Sequence, residues 1–67
     1  MSPAEIDAVV ERVRAEFNEM PGLCLTVPQA ARLLGLDLDD CGHVIDALVH
    51  TSFLRRTSSG IVRRAEG

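Results

Sequence analysis

Leu25-Thr26-Val27-Pro28-Gln29-Ala30-Ala31-Arg32-Leu33-Leu34-Gly35-Leu36 is the stretch that decides the fold of this 67-residue chain. Thr26 followed three positions later by Gln29 forms a capping box, in which the hydroxyl accepts an orphan backbone N–H and the amide reaches back to the cap. Pro28 sits in the first turn, where a missing N–H costs nothing. Val27, Ala30, Ala31, Leu33 and Leu34 follow at helical spacing as the inward face, and the two alanines are small enough to admit a close neighbour. Gly35 can enter the left-handed region without steric cost, and Leu36 is placed to fold back onto the helix in a Schellman arrangement. The sequence thus predicts a helix of barely two turns that ends in a tight turn.

On the C-terminal side, Asp37 is placed to cap a further helix, whose apolar stripe is Cys41, Val44, Ile45, Leu48 and Val49, running through about Thr51. Phe53-Leu54-Arg55-Arg56 and Ile61-Val62-Arg63-Arg64 then flank Thr57-Ser58-Ser59-Gly60, the pattern of a hairpin with a four-residue polar turn. On the N-terminal side, Leu23-Cys24-Leu25 is an apolar run able to add one edge strand. Before it, Pro21-Gly22 ends a longer helix that opens on another capping box, Ser2-Pro3-Ala4-Glu5. Ile6, Val9, Val10, Val13, Phe17 and Met20 form one stripe, with Asp7, Glu11, Arg12, Arg14 and Glu19 opposite, which places that helix from about Pro3 to Glu19.

Composition narrows what such a chain can be. A domain of about 60 residues buries only about 60% of its unfolded surface, so residues 1–67 are expected to form a single domain around one aliphatic core. Trp and Tyr are absent, and Phe17 and Phe53 are the only aromatics. A homodimer would add buried surface. Cys24 and Cys41 are too few for a disulfide framework, and both sit in apolar runs as small buried hydrophobes. With no leader or long apolar span, the expectation is a cytoplasmic protein with no membrane partner. Met1 and the polar Glu66-Gly67 end suggest a complete small protein.

The net charge of −3 is unevenly placed. Up to residue 54, Arg12, Arg14 and Arg32 stand against nine of the ten acids, whereas beyond it Arg55, Arg56, Arg63 and Arg64 stand against Glu66 alone. Such an asymmetry points the hairpin toward something anionic.

Helix, short strand, two-turn helix, tight turn, second helix and arginine-rich hairpin together resemble the winged helix-turn-helix domain of small bacterial DNA-binding regulators. The likeness rests on the Leu25–Leu36 stretch, on Val44-Ile45-Asp46-Ala47-Leu48-Val49 and on Phe53-Leu54-Arg55-Arg56, and it covers nearly the whole chain. It implies a mostly α fold, three helices plus a two- or three-stranded wing sheet, in which helix 38–51 enters the major groove of double-stranded DNA and the wing follows the backbone. The implied function is transcriptional regulation. Asp39, Asp40, His43, Asp46, Ala47 and His50 would then face the groove; Arg55, Arg56, Ser58, Ser59, Arg63 and Arg64 would meet phosphate, with Arg32 adding another contact. Four wing arginines correspond to a salt slope of about −3.6.

Two features depart from that pattern. The groove-facing helix offers acids, and although Asp accepts from cytosine N4, carboxylates entering a polyanion's groove are repelled unless the wing compensates them. The alternative is a protein-interaction module whose acidic face, Asp37, Asp39, Asp40 and Asp46, receives a basic partner. Ser52 stands where the resembling family often has glycine, and a serine at positive φ costs about 1 kcal/mol.

Other chemistry finds little support in the residues. His43 and His50 are about 10 Å apart along one helix and cannot share a metal ion; their plain reading is two exposed histidines beside acids, with a pH-responsive surface as the sharper one. Cys41-Gly42-His43 lacks further ligands for zinc. Without a glycine-rich phosphate loop, a ligand cluster or a shielded pocket, no catalytic residue, metal, cofactor or small-molecule ligand is expected. The stripe of the first helix covers the core, or part of it, with Met20 and Leu23, forms a symmetric dimer contact.

Overall fold

The computed structural model describes residues 2–65, and its elements run α1 (Pro3–Glu19), β1 (Cys24–Thr26), α2 (Val27–Leu34), α3 (Leu38–His50), β2 (Leu54–Arg56) and β3 (Ile61–Arg64). The chain is mostly helical, with one antiparallel three-stranded sheet in the order β1-β3-β2. The helices cover one face of the sheet and the other is open to solvent.

Each helix starts where its cap chemistry dictates. Ser2 and Glu5 exchange hydrogen bonds as a capping box, and the bond from the Ser2 backbone holds the Glu5 carboxyl below the usual carboxylate range. Thr26 and Gln29 do the same for α2. Gly35 sits at φ 69°, and the N–H groups of Gly35 and Leu36 both donate to the Ala31 carbonyl, which closes α2 after two turns. Asp37 has the extended backbone of a cap, but its carboxylate makes no cap hydrogen bond. The acids of the first turn, Asp39 and Asp40, face the partial positive charge of the helix N-terminus instead, which is favourable.

The core gathers one face from every element: Val13 and Phe17 of α1, Ala30 and Ala31 of α2, Cys41, Val44, Ile45 and Leu48 of α3, Leu54 of β2 and Val62 of β3. No polar side chain is buried among the described residues. Cys41 is fully enclosed; its Sγ donates to the Val27 carbonyl at 3.7 Å, and burial pushes the thiol's pKa up, so it behaves as a small hydrophobe.

Three inward assignments and one strand boundary need correction. Cys24 is exposed, because side chains alternate along a strand and β1 turns Leu25 to the core. Leu33 is 49% exposed, since α2 is too short and too far toward the rim to bury its whole stripe. Met20 is 50% exposed as the C-cap residue of α1, beyond the last turn that packs. Phe53 belongs to the junction before β2, and α3 ends at His50 with Thr51 as its cap.

That junction carries the backbone strain expected of it. Ser52 sits at φ 66°, the left-handed region, and is the one non-glycine residue there among the described residues. Thr51, Ser52 and Phe53 donate their N–H groups to Ala47, Val49 and Leu48, which locks the reversal and sends the chain straight into β2. Replacing Ser52 by glycine removes the Cβ clash, offset by a more flexible unfolded chain. Ser52→Gly is therefore expected to raise stability by up to about 1 kcal/mol in a denaturant melt.

Candidate nucleic-acid interface

The hairpin's arginines do not form one uniform patch, because strand alternation divides them between two faces. Cross-strand partners share a face, and the register pairs Leu54 with Arg64, Arg55 with Arg63 and Arg56 with Val62. Leu54 and Val62 are buried, so Arg56 and Arg64 lie on the helix side of the sheet, whereas Arg55 and Arg63 stand on the open side. Cys24 of β1 is opposite Arg63 on that open side, so Cys24, Arg63 and Arg55 form a row across all three strands.

Both helix-side arginines are engaged. Arg56 Nη2 donates to Asp46 Oδ1 at 2.8 Å, tying β2 to the middle of α3, with the two side chains 41% and 62% exposed. The Arg64 guanidinium lies 5.5 Å from the centre of the Phe53 ring, and Arg14 of α1 lies 4.9 Å from the same centre. This double cation–π contact covers the half-buried Phe53 with charge. Arg14 also sits 4.0 Å from Glu11, an exposed pair of little energetic weight.

Arg55 and Arg63 have no such partner. Among the described residues, the ion pairs are Arg14–Glu11 and Arg56–Asp46, and neither involves them. Directly opposed side chains on an antiparallel pair are about 5 Å apart at Cβ, and like charges in that position repel. An anion bridging the two guanidiniums would relieve this cost. The turn beyond them exposes Ser58 and Ser59; the Ser59 hydroxyl lies 3.1 Å from that of Thr57, which itself accepts from the Ile61 N–H.

On α3, His43, Asp46, Ala47 and His50 are exposed along the outward face, with Asp39 exposed and Asp40 half-buried at its start. Arg32 is exposed on α2, outside the hairpin row. The acids of this face thus fall into two groups. Asp39 and Asp40 stabilise the helix start, and Asp46 is compensated by the hairpin through Arg56. The near end of α3 also leaves Leu38 58% exposed beside Asp37 and Asp39.

Sequence reasoning missed Arg14 and the Asp46–Arg56 pair. Arg14 had a signal, since it follows Val10 by four and precedes Phe17 by three, at the edge of the apolar stripe. The pair had none, because it depends on how sharply the chain reverses at Ser52. No helix of the described residues is long and apolar enough to cross a membrane. No family model, curated protein or solved structure matches the chain.

Proposed function

We propose that this chain is a winged helix-turn-helix domain that binds double-stranded DNA, in the manner of a small transcriptional regulator, with the β2–β3 hairpin as the wing and α3 as the groove-facing helix. The observation that carries the reading is the Arg55–Arg63 pair: two opposed, exposed guanidiniums without a carboxylate partner among the described residues. Guanidiniums match phosphate geometry and keep their charge at any physiological pH. The path of the chain supports the same reading, since α2, a tight turn and α3 are followed at once by the hairpin.

With Arg56 and Arg64 engaged internally, the wing offers two free arginines rather than four. The expected salt slope for a monomer is then about −1.8, at about −0.9 per neutralised phosphate. Fluorescence anisotropy of labelled random-sequence duplex, titrated from low to physiological salt, measures it. A slope near −1.8, or twice that for a dimer, supports wing docking. Absence of binding at low salt removes it and leaves Asp37, Asp39 and Asp40, around the exposed Leu38, as the surface for a basic protein partner.

A further inference from the structure

An acid in the middle of a groove-facing helix is the feature of this surface that least suits a polyanion, and its neighbour on the hairpin changes what it can do. Asp46 lies on the exposed face of α3, and its Oδ1 accepts a 2.8 Å bond from Arg56 Nη2, ten residues later in the chain. The guanidinium offsets part of the carboxylate's charge and draws Oδ1 toward the hairpin. Oδ2 takes part in no hydrogen bond among the described residues, so one acceptor atom of the paired carboxylate stays free.

In the major groove, a lone acceptor needs a base-edge donor, and two bases present one: cytosine at N4 and adenine at N6. They differ in what lies beside the donor. Adenine's N6 is flanked by N7, an acceptor that repels a carboxylate, whereas cytosine's N4 is flanked by a C–H. Resting on the DNA-binding reading above, we propose that Asp46 is a specificity-determining residue that selects cytosine at one position of the bound site, with Arg56 as the residue that positions it. With its oxygen held by Arg56, an amide at the same place turns a donor, Nδ2, to the groove, which suits the two acceptors of guanine, N7 and O6, and repels the N4 donor of cytosine. Asp46→Asn therefore predicts a change of preference from cytosine to guanine, where simple loss of a contact predicts none.

The test is selection of bound sequences from a randomised duplex pool by the wild-type protein, by Asp46→Asn and by Asp7→Asn, which removes the same charge from an exposed position on α1, away from the groove-facing helix. Asp46 and Asp7 are both exposed, so each variant is expected to keep a thermal melt close to that of the wild type. The wild type and Asp7→Asn are expected to favour cytosine at one position by about ten-fold, and Asp46→Asn to favour guanine there by a similar factor. Arg56→Lys keeps the cytosine preference, and Arg56→Ala loses it. The same preferred sequence with Asp46→Asn as with the wild type overturns the proposal. So does uniformly tighter binding by Asp46→Asn without a change of base, which makes Asp46 a mere competitor of phosphate for Arg56. Failure of the wild type to retain any duplex sinks the DNA-binding reading itself; retention without a cytosine preference sinks this inference alone.

Discussion

Phe17→Ala is expected to unfold the protein or to lower its thermal transition by well over about 10 °C. Phe17 heads the fully buried side chains by size and is 2% exposed, at the point where α1 meets α2 and β1. Truncating a buried phenylalanine costs about 3–5 kcal/mol, the upper end applying where neighbours cannot collapse into the void. Ala30, which lines the same shallow cleft, has no atoms beyond Cβ to move inward. A chain of this length has only about 3–10 kcal/mol of stability in total. Circular dichroism of Phe17→Ala at 25 °C should therefore show a largely unfolded chain, or a melt lowered by well over about 10 °C. Leu33→Ala, at a side chain half open to solvent, is the contrast and is expected within about 0.5 kcal/mol of wild type. A wild-type melt for Phe17→Ala would contradict the core described above.

Replacing Arg55 and Arg63 together by alanine carries the largest expected effect on binding. Two phosphate contacts contribute a factor of about 60 between about 1 M and 0.1 M salt at −0.9 each, and no other arginine of the hairpin is free of an internal partner among the described residues. Retention of duplex DNA should fall below detection. The melt should not fall with it, because removing two like charges from directly opposed positions relieves repulsion. Binding lost while stability is kept or gained separates a docking role from a structural one. Arg12→Ala, at an exposed position on α1, removes one positive charge away from the wing and is the control, with retention expected to stay near wild type.

Much of this architecture was legible because local chemistry and tertiary packing agree. Both capping boxes, the two prolines behind them and the left-handed Gly35 fix where α1 and α2 begin and where α2 stops, with no help from distant residues. The polar turn Thr57-Ser58-Ser59-Gly60 between Phe53-Leu54-Arg55-Arg56 and Ile61-Val62-Arg63-Arg64 located the hairpin in the same way. What was not legible is three-dimensional. Periodicity marks a stripe on α2 but cannot say that the neighbouring elements reach Ala30 and Ala31 and stop short of Leu33. A run of arginines reads as one patch, and only the register of β2 against β3 separates an open pair from two engaged residues. The acids of α3 read as one face in the sequence, and only the structure separates Asp39 and Asp40, in the first turn of the helix, from Asp46, which Arg56 pairs.

The measurement that bears most directly on wing docking is an NMR titration of the labelled protein with short duplex DNA at low salt, following backbone amides and arginine Nε–Hε signals together. The account predicts that Arg55 and Arg63, with the Ser58-Ser59 turn, respond first and in proportion to bound DNA, while the Arg14 and Arg64 signals against Phe53 stay in place. Perturbations confined to the Asp37–Asp40 end of α3, or none at all at saturating duplex, would contradict it.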